Sequence, residues 1–363
     1  MNLFIRTSIA PYRVDFYNAL HEGLDMKMCF YHRQAADQHF DLRWLESLCS
    51  FKPVYLKGVR LGSDSRKICF GLWNLVRKAR PEVVIVPEFQ LPLYQLRLIR
   101  FLQGKHFRIV SLCDDSLDMI RRRNDFSGLH RWLRAWAPRL LDGIIVPHPG
   151  VRDWYREQFG IGTWMPIIGD EIRMRAQYEA LLPRSREYIE KYQLEDKKVV
   201  LFVGRLVGLK RVDLLLEAFS RVERDAVLVI VGDGPERESL QELAGNDRNR
   251  VIFTGRLEGD ELYAWYNVAD VLALISSQEA FGAVVNEALT GGVRVVVSDH
   301  AGASCLVDGS NGEVVTGDSP EDVRKALERQ MDLGGPHDGR MRPDLMPVRF
   351  KDMMNQLFTE ISR

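Results

Sequence analysis

Residues 276–292 carry two glutamates, Glu279 and Glu287, on either side of the pair Phe281-Gly282. A predicted strand runs into a polar turn that holds Glu279, and a predicted helix that opens at Phe281-Gly282 contains Glu287. Backbone N–H groups at a helix N-terminus bind phosphate, and a preceding glycine lets the ligand come close. We expect Glu287 to accept hydrogen bonds from a ribose diol and Glu279 to reach a sugar beyond the phosphates. Glutamates with this separation occur at four other places, so the prediction depends on the surrounding strand, Phe-Gly pair and helix.

A second segment, residues 199–219, offers two cations to an anionic ligand. A predicted buried strand ends at Gly204, and Arg205 and Lys210 flank the turn that leads into the next helix. Arginine binds a diphosphate through two parallel hydrogen bonds, whereas lysine acts as a point charge. Either cation alone is more often a solvated surface charge. Together, at the edge of a sheet where ligands bind, they favour a phosphate ligand.

Residues 199–316 resemble the nucleotide-sugar-binding domain of the retaining glycosyltransferases of family 4, which have the GT-B fold. The motifs that carry the resemblance are GRLVGLK (204–210), VIVGDGPERESL (229–240), VIFTGRL (251–257), ADVLALISSQEAFGAVVNEALTGG (269–292) and SDHAGASCLVDGSNGEVV (298–315). The resemblance implies transfer of a sugar, with retained anomeric configuration, from a nucleoside-diphosphate sugar such as a UDP- or GDP-linked one.

The resemblance also implies a role for individual residues. The implied donor-binding residues are Gly204, Arg205, Lys210, Thr254, Arg256, Glu279, Phe281, Gly282 and Glu287. Arg205 and Lys210 would hold the pyrophosphate, and together with Glu279, which contacts hydroxyls of the donor sugar, they are the expected catalytic residues. Phe281-Gly282 would lie at the helix end that faces the phosphates, and the turn 254–256 beside the base.

No metal and no tightly bound cofactor is expected. Charge develops on the departing diphosphate, and fixed cations together with a helix dipole stabilise it. The chain contains no Asp-x-Asp triplet; the nearest sequence is Asp114-Asp115, and adjacent side chains on an extended segment point to opposite faces. The resemblance implies front-face attack, in which the leaving phosphate helps to deprotonate the acceptor.

Short apolar runs alternate with segments of helical periodicity along the whole chain. Strands that alternate with helices imply parallel sheets covered on both faces. The strands are predicted at 2–5, 27–31, 83–86, 108–113, 143–146, 199–203, 227–231, 251–253, 271–275 and 294–297. The predicted fold is therefore α/β of the GT-B type, with two doubly wound Rossmann-like domains that face each other across a cleft.

A chain of 363 residues exceeds the size at which single cores stop growing. We expect an acceptor-side domain at 1–170, a solvated linker and helical segment at 171–198, and a nucleotide-sugar-binding domain at 199–347. A helix at 348–363 is expected to pack back on the first domain.

The N-terminal half is less informative. The first strand-to-helix turn, 6–20, lacks the glycine-rich loop that many members of the family carry. Arg13, in this turn, either meets an anion across the cleft or lies on the surface. Asp114 and Asp115 either orient an acceptor hydroxyl or cap a helix. For His148 a structural hydrogen bond is expected rather than a role as catalytic base.

Residues 119–141 are basic and aromatic, and Trp132 and Trp136 fall on one predicted helical face with Leu129 and Leu133. Such a face either lies on an anionic bilayer or belongs to the core. Residues 1–170 carry a net charge of +8, which favours an anionic partner. Scattered cysteines and the lack of a signal-like segment predict a cytoplasmic protein, at the inner face of the membrane if the tryptophans dock.

The leading interpretation is a retaining, metal-independent glycosyltransferase that acts on a saccharide or lipid-linked acceptor in capsule, O-antigen or exopolysaccharide assembly. The alternatives are a non-hydrolysing nucleotide-sugar epimerase and a scaffold protein that binds nucleotide sugar without transfer. An epimerase needs acid and base groups around the sugar ring, and no such pair can be assigned. A nucleic-acid partner is not expected, because no sheet surface that combines aromatic and basic residues is identifiable.

Overall fold

A computed structural model describes the chain except for residues 34–41, 61–66, 88–89, 105, 123–124, 126, 246–249, 317–318, 335–339 and 363. The chain forms two compact units. The first consists of residues 1–169 together with 350–363, and the second of residues 170–349. No helix within the described ranges has the length and apolar character needed to cross a bilayer.

The first unit is built on a parallel sheet of seven strands in the order β3-β2-β1-β6-β7-β8-β9. Its strands are β1 (Asn2–Arg6), β2 (Met26–Phe30), β3 (Val54–Tyr55), β6 (Val83–Pro87), β7 (Arg108–Leu112), β8 (Gly143–Val146) and β9 (Thr163–Trp164). A separate antiparallel pair consists of β4 (Gly58–Arg60) and β5 (Lys67–Cys69). The central strands are buried almost throughout, as expected for a sheet covered on both faces.

The helices of the first unit are α1 (Val14–Leu24), α2 (Leu42–Ser47), α3 (Leu72–Ala79), α4 (Leu91–Gln103), α5 (Leu117–Arg121), α6 (Gly128–Trp136), α7 (Pro149–Phe159) and the C-terminal α15 (Phe350–Ser362). The C-terminal helix packs against α1 so closely that a Cβ at Gly23 would lie 2.5 Å from the ring of Phe358. The Arg108 guanidinium donates to the carbonyl of Ile361, near the end of α15. The last helix is thus part of the first unit.

The second unit has a parallel sheet in the order β12-β11-β10-β13-β14-β15. Its strands are β10 (Lys198–Val203), β11 (Ala226–Val231), β12 (Val251–Gly255), β13 (Val271–Leu274), β14 (Arg294–Ser298) and β15 (Gly312–Val315). Its helices are α8 (Glu171–Ala180), α9 (Leu182–Tyr192), α10 (Val212–Ser220), α11 (Arg237–Ala244), α12 (Asp260–Val268), α13 (Ala283–Thr290) and α14 (Pro320–Asp332).

The segment 171–198 is helical as expected, but it is not a solvated linker. It forms α8 and α9, whose inner side chains Met174, Tyr178 and Ser185 are buried. The Ser185 hydroxyl is 3.0 Å from the carbonyl oxygen of Ala264 in α12. Apolar burial and this hydrogen bond make the two helices part of the second unit.

Every predicted strand is present in the structure, and most strand ends lie within one residue of the predicted ones. The two parallel sheets have the doubly wound order, in which the chain extends the sheet first in one direction and then in the other. The α/β class and the Rossmann-like character of both units are confirmed.

Candidate functional site

The order of strands in the second unit reverses between β10 and β13. In open parallel sheets, ligands bind beyond the carboxyl ends of the strands at such a switch point. The loop after β10 carries Arg205 and Lys210, and the loop after β13 carries Glu279. Topology therefore brings the two segments singled out in the sequence to the same place.

Two glycines let neighbouring loops approach the end of β10. A Cβ at Gly232, whose φ is +154°, would lie 1.8 Å from the carbonyl oxygen of Gly204, and one at Gly234 would lie 2.3 Å from that of Leu206. The Leu206 amide donates to the carbonyl of Asp233 over 2.9 Å. The loop that follows β11 thus supports the backbone around Gly204, from which the side chain of Arg205 projects.

Lys210 and Glu279 form an ion pair between the two loops. Their side chains are 21% and 16% exposed. A backbone hydrogen bond of 2.9 Å from the amide of Ser277 to the carbonyl of Leu209 holds the loops together. The aliphatic stem of Lys210 passes beside Gly204, because a Cβ there would lie 3.8 Å from the lysine Cε.

The backbone at Glu279 is fixed on its other side as well. Glu279 forms a parallel bridge with Ala301, and its carbonyl accepts from the amide of Gly302 over 3.2 Å. A Cβ at Gly302 would lie 2.3 Å from the carbonyl oxygen of Ala280, so this close approach requires glycine. The backbone from which the Glu279 carboxylate projects is therefore held by contacts on both sides.

The start of α13 depends on Gly282. Its φ is +95°, and a Cβ there would lie 2.4 Å from Leu274 Cδ2. Within the described residues no side chain caps this helix, which leaves its first N–H groups for a ligand. The side chain of Phe281 is 2% exposed, and its backbone carbonyl accepts from the Ala303 amide over 2.7 Å, so burial and a backbone hydrogen bond both hold the residue before the helix start.

Glu287 lies inside α13 and accepts hydrogen bonds from two tyrosines. The hydroxyl of Tyr266 donates to its carboxylate over 2.6 Å, and the hydroxyl of Tyr178 donates to its backbone carbonyl over 3.2 Å. Burial raises the pKa of Glu287 to about 7, although the Tyr266 hydrogen bond and the charge of Arg173 act to lower it. A carboxyl group that is costly to ionise is typical of a binding or catalytic position.

The other donor-binding candidates are more peripheral. Arg205 is exposed and makes no ion pair with any residue that the structure describes. Thr254 Oγ1 donates to the carbonyl of Gly255 over 2.9 Å, and Arg256 Nε donates to Glu258 over 2.7 Å. Thr254 lies near the end of β12 and Arg256 directly follows it. This strand is two positions from β10 in the sheet and so about 10 Å away at usual strand spacing.

The first unit has its own charged cluster at the carboxyl edge of its sheet. Arg6, at the end of β1, donates to Asp114 over 2.7 Å, and Arg13 donates to the other carboxylate oxygen. Burial alone would raise the pKa of Asp114, but the guanidinium groups of Arg13 and Arg6 outweigh it and hold the pKa below its usual value. Asp114 is thus a carboxylate with about a third of its side chain exposed.

This geometry corrects the interpretation of Arg13 as a surface residue. The residue is 4% exposed, so it is not a surface arginine. The anion that it meets is Asp114 of its own unit, and Arg6 shares that anion. The sequence analysis did not identify Arg6, because its partner lies 108 residues away along the chain.

Asp115 is buried, in contrast to Asp114. It is 2% exposed, and its two oxygens accept from Arg134 and from the hydroxyl of Tyr155, the latter over 2.7 Å. The helix cap considered for the aspartates comes instead from Ser116, whose hydroxyl accepts from the amide of Met119 over 3.2 Å. In this arrangement Asp115 holds α6 and α7 against the sheet.

His148 makes the expected structural hydrogen bond. Its Nδ1 accepts from the amide of Gly150 over 2.9 Å and caps α7. Burial lowers the pKa of His148 to about 4, and the charge of Arg121 adds to this effect. The imidazole is therefore neutral near pH 7, which suits an acceptor at a helix start.

Trp132 and Trp136 lie on the outer side of α6. Their rings stack with centroids 5.7 Å apart and planes 5° from parallel, and they are 56% and 40% exposed. These two tryptophans are not part of the core. The side chains of Leu129 and Leu133, the other members of the predicted face, lie outside the described residues.

Residues 184–342 match the family described as glycosyl transferases group 1. This segment lies within the second unit and contains every donor-binding candidate named above. A resemblance to glycosyltransferases is therefore confirmed for this part of the chain.

Two named relatives match over a stretch of similar length. The chain is 34% identical over 155 residues to the alpha-D-kanosaminyltransferase of Streptomyces kanamyceticus, with 41% of this chain and 40% of the relative covered. It is 35% identical over 151 residues to the GDP-mannose-dependent alpha-(1-6)-phosphatidylinositol monomannoside mannosyltransferase of Mycolicibacterium smegmatis, with 38% and 40% covered. The matched segment thus spans less than half the length of these relatives.

Solved structures resemble the chain over its whole length. The lipopolysaccharide outer core galactosyltransferase WaaB matches with a TM-score of 0.67 and 19% identity, with 99% of this chain and 100% of that one covered. The Anabaena protein Alr3699/HepE, in complex with UDP and glucose, matches with a TM-score of 0.71 and 14% identity, with 100% and 99% covered. At these identities the likeness concerns the fold, and it confirms the predicted GT-B class.

Proposed function

We propose that the chain is a glycosyltransferase that moves a sugar from a nucleoside-diphosphate sugar to a saccharide or lipid-linked acceptor. The observation that carries this proposal is the meeting of Lys210, Glu279 and the uncapped start of α13 at the switch point of the second unit. The family match over residues 184–342 supports it independently.

In the proposed mechanism, Arg205 and Lys210 hold the diphosphate of the donor against the first N–H groups of α13. Negative charge that develops on the leaving diphosphate is stabilised by these groups without reorganisation. The carboxylate of Glu287 binds the ribose, and that of Glu279 binds hydroxyls of the donor sugar. The proposed transfer retains the anomeric configuration and needs no metal, because the cations already neutralise the leaving group.

The proposed donor carries UDP or GDP. The solved structure of Alr3699/HepE contains UDP, and the mycobacterial relative is named as GDP-mannose-dependent. In the second unit, the turn around Thr254 and Arg256 would lie beside the base. The first unit is proposed to receive the acceptor, with the Asp114 carboxylate as the group that orients an acceptor hydroxyl.

The proposal predicts that one class of nucleotide sugar raises the unfolding temperature of the protein. A ligand present at 100 times its Kd stabilises the folded state by about 2.7 kcal/mol, which corresponds to several degrees for a chain of this size. The measurement is a thermal-shift screen with UDP-, GDP-, ADP- and dTDP-linked sugars. If none of them shifts the transition at millimolar concentration, donor binding is excluded.

We further propose that the chain works in envelope polysaccharide assembly at the inner face of the cytoplasmic membrane. The exposed pair Trp132 and Trp136 and the net charge of +8 in residues 1–170 support contact with an anionic bilayer.

Membrane contact predicts binding to vesicles that contain phosphatidylglycerol, and this binding should weaken as salt rises. The double variant W132A/W136A should bind at least about tenfold less, because aromatic anchoring is lost. Trp73→Ala is the matched control, since Trp73 is also 40% exposed in the same unit but lies on α3. Equal binding of the double variant and the control would exclude this surface.

A further inference from the structure

The ion pair of Lys210 with Glu279 joins two groups that the proposed function assigns to different parts of the donor. Lys210 is assigned to the diphosphate and Glu279 to the sugar. In the structure the ammonium and the carboxylate are directly paired. A phosphate that reaches Lys210 therefore arrives beside a carboxylate.

Backbone contacts hold the loops that carry Lys210 and Glu279 next to each other. The Ser277 amide binds the Leu209 carbonyl over 2.9 Å, and the Glu279 backbone is held by the bridge to Ala301. While these contacts hold, rotation of the two side chains is what changes their distance. A ligand at Lys210 then lies within a few ångströms of Glu279, where like charges repel strongly in partly buried surroundings.

The free nucleoside diphosphate and the sugar-linked one differ in the charge and the hydrogen-bond donors that they place beside the Glu279 carboxylate. The terminal phosphate of the free form has a second ionisation near pH 6, as other phosphate monoesters do, and so carries an extra negative charge at neutral pH. The sugar-linked form lacks that charge and brings hydroxyl groups. When Lys210 turns to the phosphates, the Glu279 carboxylate loses the hydrogen bond from the lysine. The sugar hydroxyls can then donate hydrogen bonds to the carboxylate oxygens.

We propose that Glu279 is a specificity-determining residue that favours the sugar-linked diphosphate over the free diphosphate. It does so through its charge beside Lys210, in addition to any hydrogen bond with the sugar. The inference rests on the proposed function, because it takes the ligand of this site to be a nucleoside-diphosphate sugar. Its consequence is that the product diphosphate is bound weakly and the site is cleared for the next donor.

The test uses E279Q, which keeps the size and a hydrogen-bonding group but removes the charge. Binding of UDP, UDP-glucose, GDP and GDP-mannose to the full chain is measured by calorimetry at 50 and 200 mM salt. E279Q should bind the free diphosphate about tenfold more tightly than the wild type at the lower salt, with a smaller gain at the higher salt. Affinity for the sugar-linked form should stay equal or fall.

Glu313→Gln is the matched control, because it removes the same charge from the same unit at a surface ion pair with Arg329. A gain of equal size in E313Q would assign the effect to net charge and overturn the inference. In a Lys210→Ala background E279Q should improve binding of the free diphosphate by at least as large a factor, because the carboxylate that it removes is then unpaired.

The outcomes separate this inference from the proposed function. If the wild type binds the nucleotides and E279Q binds the free diphosphate no more tightly, the inference is wrong and the proposed function stands. If neither protein binds any of the four nucleotides while both remain folded, the proposed function and the inference both fail.

Discussion

Glu287→Gln is expected to raise the free energy of unfolding by roughly 3–3.5 kcal/mol at pH 8, because one pKa unit corresponds to about 1.4 kcal/mol. Burial raises the pKa of Glu287 to about 7 from its usual 4.5. Between these two values the folded protein keeps a proton that the unfolded chain has released. The wild type therefore loses stability as the pH rises through this window and loses no more above it.

Glutamine has nothing to ionise, so E287Q escapes this loss. The difference between the variant and the wild type should be below about 1 kcal/mol at pH 5 and should reach its full size near pH 8. The measurement is urea-induced unfolding at pH 5, 6, 7 and 8. Glu217→Gln is the control, because Glu217 is half exposed in a surface pair with Arg221 of the same unit and such pairs contribute little.

The same variant should bind the donor less well, since the ribose loses a charged acceptor. A residue whose replacement stabilises the fold but impairs the ligand is explained by function and not by packing. An E287Q variant that is less stable than the wild type at every pH would show that the carboxylate supports the fold.

Lys210→Ala is expected to weaken binding of the nucleoside diphosphate by at least about 100-fold, or 2.7 kcal/mol. Two effects add in the same direction. The phosphates lose a partly buried cation, and Glu279 is left without its partner directly beside the ligand. An uncompensated carboxylate at this position repels the diphosphate that the lysine used to attract.

Calorimetric titration with UDP and GDP measures this loss. Lys191→Ala is the matched control, because Lys191 belongs to α9 of the same unit and lies over the ring of Tyr192, away from the switch point. If the affinity of K210A for UDP and GDP stays within twofold of that of the control, Lys210 does not bind the diphosphate.

The central strands could be predicted from the sequence because they are buried runs of β-branched and apolar residues. The AVLVIV sequence of β11 is an example, with all six residues buried. The edge strands β3 and β9 were not predicted, since two residues carry no periodicity. The strand β15, GEVV, includes a charged residue, and its pairing with β14 becomes visible only in the sheet.

The donor-binding residues can be predicted from the sequence because they lie in short contiguous motifs. The contacts among these residues cannot be predicted in this way. Nothing in the order of residues indicates that Lys210 meets Glu279, 69 positions later, or that Tyr266 donates to Glu287. In the first unit, Arg6 and Arg13 donate hydrogen bonds to Asp114, which lies more than 100 positions away along the chain. No local sequence pattern could indicate these two contacts.

The most direct measurement of the central claim is a crystal structure of the chain with UDP or GDP, whichever raises the unfolding temperature. We expect the diphosphate oxygens within hydrogen-bond distance of Lys210 Nζ and of the backbone N–H groups that follow Gly282. A nucleotide bound to the second unit with its phosphates away from both groups would contradict the proposed site.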